Sequence, residues 1–173
     1  MKHSTRFEGS TVGSHIAAFL FIAFAFSACG FSPVYQEGGA ASELKGTIQY
    51  AEPTSPGQFE IARYVEERLG PAAAPQFELR IFPAIRSEAL GVAIGENINR
   101  EDLIGTATYS LVELGTGEVL LQGNVNTFVS YSTSSANTAT TRAAQRNAVS
   151  RLLKGLTDLV IIEVLASSDS LIA

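Results

Sequence analysis

Thr106-Ala107-Thr108-Tyr109-Ser110-Leu111-Val112-Glu113-Leu114, then Gly115-Thr116-Gly117, then Glu118 to Tyr131: this stretch decides the fold. Ala107, Tyr109 and Leu111 alternate with Thr106, Thr108 and Ser110, so one face is apolar and the other polar. That period of two belongs to a strand with one buried and one wet face. Gly-Thr-Gly supplies the freedom for a tight hairpin turn. On the return strand Val125, Thr127, Val129 and Tyr131 share a face.

The same pattern extends upstream. Phe77, Leu79 and Ile81 alternate with Glu78 and Arg80 in a further strand, which Pro83 is expected to break or bulge. Leu44 to Tyr50 predicts a first strand, with Leu44, Ile48 and Tyr50 apolar and Pro53 and Pro56 ending it. Between them, Gln58 to Leu69 predicts a helix. Phe59, Ala62, Val65 and Leu69 recur at steps of three or four, and Gly70-Pro71 stops it. Ser55 is placed to cap that helix, with Pro56 at its first position.

Downstream, residues 138 to 166 lack proline and predict one long helix. Ala148, Val149, Leu152, Leu153, Leu156, Leu159 and Val160 fall on one arc; Arg146, Arg151 and Lys154 fall on the other side. Asp158 and Glu163 interrupt the apolar stretch Leu156 to Ala166, which reads as a helix end buried on the sheet rather than a membrane span. The order is β-α-β-β-β-α. The expected class is α+β, with two helices packed on one face of a mostly antiparallel four-stranded sheet. Residues 44–173 then form a single α/β sandwich domain.

The amino terminus has a different logic. Lys2, His3 and Arg6 precede an apolar run, Ile16 to Phe26, and the small residues Ser27 and Ala28 lead to Cys29. Those are the parts of a secretory signal peptide. A cysteine directly after small residues resembles the lipobox of bacterial lipoproteins. The resemblance implies cleavage after residue 28 and a Cys29 carrying diacylglyceryl and N-acyl groups. Phe26 departs from the aliphatic residue usual there. Cleavage by the ordinary signal peptidase is the rival, but it prefers a small residue at Phe26. A membrane anchor is the other rival, but the run is 11 residues and a spanning helix needs roughly 20. The expected divisions are therefore a leader over 1–28, a lipidated tether over 29–43 and the domain.

Removing the leader removes chemistry. The mature chain, Cys29 to Ala173, is 145 residues, long enough for one real core. His3 and His15 go with the leader, and Cys29 is the only cysteine, so no internal disulfide forms. Histidine-based nucleophilic triads and histidine-ligated transition metals are excluded. The acid pairs Glu66-Glu67 and Glu101-Asp102 read as solvated surface. The expectation is a protein that is not an enzyme, with no catalytic residues, no metal and no separate cofactor. The net charge is −5; the leader's Lys2, Arg6 and Glu8 contribute +1, leaving −6 for the mature form. Residues 37–118 hold thirteen acids against six bases, whereas 119–173 hold three against four. An acidic domain without a basic stripe is a poor nucleic-acid binder.

Cys29-Gly30-Phe31-Ser32-Pro33-Val34-Tyr35 resembles the start of the lipopolysaccharide-assembly lipoprotein family, LptE, of alphaproteobacterial type. Arg100 before the hairpin, Tyr109 and Leu111 in its first strand, Thr116-Gly117 in its turn, Ser130-Tyr131 at its end and Ala139-Thr140 opening the long helix agree in order. Gly30, rather than Asp, resembles lipoproteins sorted to the outer membrane. The resemblance implies a lipid-anchored protein on the periplasmic face of the outer membrane. It would sit as plug and assembly aid in the lumen of the barrel subunit LptD and support lipopolysaccharide insertion. The Asn-, Ser- and Thr-rich segment Asn124 to Thr141 would suit a polar lumen. Family members are thought to contact lipopolysaccharide through basic side chains; by charge alone the candidates are Arg86, Arg100, Arg146 and Arg151. Two other classes compete: an unrelated outer-membrane lipoprotein acting as a structural or envelope-binding module, and a carboxylate hydrolase using Glu101 and Asp102.

Overall fold

The computed structural model describes residues 42, 44–90, 98–134, 138–168 and 171. The chain divides into two units, Met1–Pro33 and Val34–Ala173, and the described residues belong to the second. The leader, Cys29 and all of the expected tether except Ser42 lie outside them. The elements are β1 (Ile48–Tyr50), α1 (Pro56–Leu69), β2 (Phe77–Leu90), β3 (Ile98–Glu113), β4 (Val119–Ser134) and α2 (Thr138–Ala166). The strands lie in the order β1-β2-β3-β4. β1 runs parallel to β2, and the other two pairings are antiparallel. Both helices cover one face. The α+β, β-α-β-β-β-α expectation is what the molecule shows.

The hairpin forms as its alternation dictates. Leu103, Ala107, Tyr109 and Leu111 of β3 and Val125 and Tyr131 of β4 are buried under α2, as are Phe77, Leu79 and Ile81 of β2 beneath the helical layer. The turn closes with the Gly117 N–H donating to the Glu113 carbonyl at 2.8 Å and the Glu113 N–H to the Glu118 carbonyl at 2.9 Å. Gly117 sits at φ +76°, a conformation side-chain-bearing residues rarely adopt. α2 lies close because Gly105 faces it, and Gly123 leaves room for the Tyr109 side chain. A Cβ on Gly105 would come within 2.9 Å of Leu156 Cδ1, and one on Gly123 within 2.7 Å of the Tyr109 hydroxyl.

The ends of the elements depart from the sequence reading. The first strand is only Ile48–Tyr50, because Leu44 is helical and Lys45-Gly46-Thr47 turn. The Thr47 hydroxyl donates to the Leu44 carbonyl at 2.8 Å, one of the local bonds that compete with a ladder. Pro83 neither breaks nor bulges β2, which pairs with β3 continuously from Phe77 to Leu90. β1 reaches only to Leu79, so the far side of β2 is open at Pro83 and a missing donor there costs no ladder bond. β3 begins at Ile98 and β4 ends at Ser134, so the hairpin is longer than its apolar core suggests.

α1 has the expected Ser55 cap, whose hydroxyl accepts from the Gln58 N–H at 3.3 Å. Its buried stripe, however, is Ile61, Tyr64, Val65 and Leu69, leaving Phe59 62% exposed. Steps of three and four fit two adjacent stripes, and the one carrying Ile61 and Tyr64 faces the sheet and α2. On α2 the buried face includes Thr157, Ile161, Val164 and Leu165, while Leu159 turns outward. The Thr157 hydroxyl is satisfied by the Leu153 carbonyl at 2.8 Å. No helix among the described residues is long and apolar enough to cross a membrane.

Candidate functional site

The two faces of the sheet differ in chemistry. The face away from the helices carries Phe82, Ala84 and Arg86 of β2, Ile104, Thr106 and Thr108 of β3, and Asn124, Asn126 and Phe128 of β4. Phe82 is 57% and Phe128 64% exposed. Uncharged hydrogen-bonding groups dominate its centre, where Ala84, Thr106 and Asn126 form one cross-strand row.

The four sequence-selected arginines do not form one cluster. Arg86 lies on the open face and pairs with Glu88 at 2.7 Å. Arg146 is exposed on α2, five residues before Arg151; at about 100° per residue the two point roughly 140° apart. Arg100 and Arg151 are brought together. With Ser130, Tyr131, Ser132, Ala144 and Asn147 they line an open cleft of about 520 Å³ where the end of β4 meets α2. Arg100 stands opposite Ser132 on the open face, and Arg151 and Asn147 come from α2 on the covered face. The cleft thus wraps the β4 edge from both sides. Neither Arg100 nor Arg151 forms an ion pair among the described residues. Two guanidinium groups beside serine hydroxyls and an amide suit an anionic oxygen group, which arginine binds in bidentate fashion. One charge opposes this: Asp102 follows two residues after Arg100 on the same strand face, and its Oδ1 is buried with no hydrogen-bond partner.

The sequence had pointed at this cleft only in part. Ser130 and Ser132 at a spacing of two, and Asn147 and Arg151 at a spacing of four, were legible as same-face pairs on a strand and a helix. What joins them is the docking of α2 on β4, which no local pattern states. Two further depressions lie among the described residues. One, about 570 Å³, runs between β1 and α1 and includes Phe59; the other, about 320 Å³, lies beside Tyr50 and Phe82.

Glu101 and Asp102 point to opposite faces, as neighbours in a strand must. Glu101 is held on the helical side, accepting from the Tyr131 hydroxyl and from the Ser87 hydroxyl at 3.1 Å. The pair does not converge on a common substrate position. A second carboxylate–phenol contact joins the layers, with the Tyr109 hydroxyl donating to Glu163 of α2. Burial, reinforced by these carboxylates, pushes both phenols up to about 12, so each stays a neutral donor at physiological pH. Among the described residues no group of three or more His, Cys, Asp or Glu is arranged to hold a metal.

No protein-family model matches the chain, and no curated protein matches it. Solved structures do. A lipoprotein structure from Caulobacter crescentus CB15 superposes with a TM-score of 0.61 at 13% identity, over 75% of this chain and 96% of that one. The rare lipoprotein B of Shewanella oneidensis gives 0.53 at 11% identity, over 73% and 96%. A minor lipoprotein of Acinetobacter baumannii gives 0.50 at 12% identity, over 72% and 95%. At these identities the likeness establishes the shared fold: the β-α-β-β-β-α sandwich seen here is also that of proteins described as lipoproteins.

Proposed function

We propose that this chain is a lipid-anchored lipoprotein of the outer membrane, held at the periplasmic face through Cys29. It would act in lipopolysaccharide export as plug and assembly partner of the LptD barrel. The observation that carries the reading is a coincidence of two independent features. The Cys29-to-Tyr35 string precedes a domain whose fold is shared with several bacterial proteins described as lipoproteins.

The open face of the sheet supports the finer part of the proposal. A plug has to offer a barrel lumen hydrogen-bonding side chains, because such interiors are polar. Thr106, Thr108, Asn124 and Asn126 supply them without fixed charge. One acyl chain gives only marginal membrane binding, on the order of 10⁴ M⁻¹, so stable anchoring at Cys29 calls for more than one chain. Chemistry in this reading is confined to attachment, with no catalytic role for any side chain.

Depletion of the protein tests it. Surface lipopolysaccharide is expected to fall, and the detergent-extracted protein is expected to co-purify with a large β-barrel. Normal surface lipopolysaccharide after full depletion would refute the export role; a clean monomer with no barrel would favour an unrelated envelope lipoprotein.

A further inference from the structure

β4 is an edge strand: among the described residues its one sheet neighbour is β3. Alternate residues of an edge strand aim their N–H and C=O groups away from the sheet, and such edges are usually blunted by charge, proline or a covering element. β4 has none of the first two. Its 16 residues, Val119 to Ser134, contain no Asp, Glu, Lys, Arg or Pro. α2 packs on the covered face of β4 but leaves that face partly open. Leu121, Gly123, Thr127 and Val129 are only half-buried, although Leu111, Ala107 and Leu103 beside them on β3 are buried.

We propose that the outer edge of β4 takes up an extended strand from another protein, with an acidic side chain at one end of that strand clamped between Arg100 and Arg151. Main-chain hydrogen bonds to an edge give affinity, and a pocket for one side chain gives selectivity. The cleft at Ser130–Ser132 is that pocket, with one guanidinium reaching it from each face of the sheet. Along the rest of β4 the absence of charge calls for an uncharged strand. A second copy of this chain is a poor occupant. Strands pair at about 4.8 Å, whereas packed helices need roughly 8–10 Å between axes, and α2 lies over β4 itself. Antiparallel pairing of two β4 edges would crowd two α2 helices onto one face and set Arg151 near its own copy. The occupant is therefore a strand with no helix over it. This inference goes beyond the export role and does not depend on it.

The test uses the full chain in its own cells, with a photo-crosslinking residue at Asn126, at Ser132 and, as control, at Ala84 on the same open face of β2. Asn126 and Ser132 are expected to join nearby positions of one segment of one other protein, with an Asp or Glu mapped next to Ser132. Arg151→Glu, and independently Arg100→Glu, should abolish the Ser132 adduct while circular dichroism stays unchanged. Changing the mapped acid to Arg in the partner should restore the adduct to Arg151→Glu. Adducts from Ser132 to a glycolipid, adducts to a second copy of this chain, adducts from Ala84 alone, or none at all would each overturn the proposal.

Discussion

β2 and β4 flank β3 as near equals, at 14 and 16 residues, and both pair with it along most of its length. Their outer sides are treated in opposite ways. β2 carries Glu78, Arg80, Arg86, Glu88 and Pro83, with β1 covering its first residues. Each is a device that discourages strand addition. β4 carries no charge and no proline, and at its end lie Arg100 and Arg151, which form no ion pair among the described residues. The layers above differ too: α1 sits over β1 and β2, whereas the longer α2 sits over β3 and β4. One half of the domain has an edge guarded by charge, proline and a short strand, and is lightly covered. The other is heavily packed beneath and open at its edge.

The packed half should suffer most from mutation. Leu156 is fully buried on α2 beside Gly105, and Leu156→Ala is expected to cost about 2–5 kcal/mol in chemical denaturation. Gly123→Ala comes next, at about 1–3 kcal/mol, the usual cost of overpacking. The new methyl would lie 2.7–2.9 Å from the Tyr109 ring, which cannot retreat without giving up its bond to Glu163. Gly123→Ala and Tyr109→Leu should therefore be non-additive in a double-mutant cycle, and simple additivity would show that the ring is not what the methyl meets.

The same tyrosines set an alkaline limit. Unfolded phenols ionise near pH 10, and Tyr109 and Tyr131 resist until about 12 in the fold. A raised folded-state value means full stability below pH 10 and progressive loss between pH 10 and 12. Phenolate absorbance and denaturation midpoints should move together across that window, and Tyr109→Phe should weaken the dependence.

What was legible in the sequence follows the same division. The hairpin and α2 were readable because period two and period 3.6 hold there over many residues, and the α2 limits, Thr138 and Ala166, are those expected from the sequence. Near β1 the signals were short and mixed, so Leu44 was assigned to a strand although it is helical and the chain turns through Lys45-Gly46-Thr47. Phe59 looked like core because spacing alone cannot choose between neighbouring helix stripes. Pro83 looked like a break because the open side of β2 is a property of β1's length, not of β2's own sequence. The four arginines were chosen by charge alone, and only tertiary docking puts Arg100 with Arg151 and leaves Arg146 apart.

The lightly covered half offers a smaller effect. Ser55 caps α1 with its hydroxyl on the Gln58 N–H, and Ser55→Ala should lower stability by about 1 kcal/mol. A loss as large as that of Leu156→Ala would mean that α1 nucleates the fold, contrary to the division drawn above.

The smallest stability effect carries the sharpest comparison. Ala84 of β2 and Asn126 of β4 end the same cross-strand row through Thr106, and both are exposed. Ala84→Lys and Asn126→Lys should each change stability by no more than about 0.5 kcal/mol, as surface substitutions do. Their effect on association should differ. A lysine at Ala84 adds one charge to a strand that already carries four. At Asn126 it sets the first charge in the middle of the uncharged edge and desolvates it under any added strand. Crosslinking from Ser132 should then survive Ala84→Lys and vanish with Asn126→Lys. Equal loss from both would mean that the partner lies across the open face of the sheet rather than along the β4 edge.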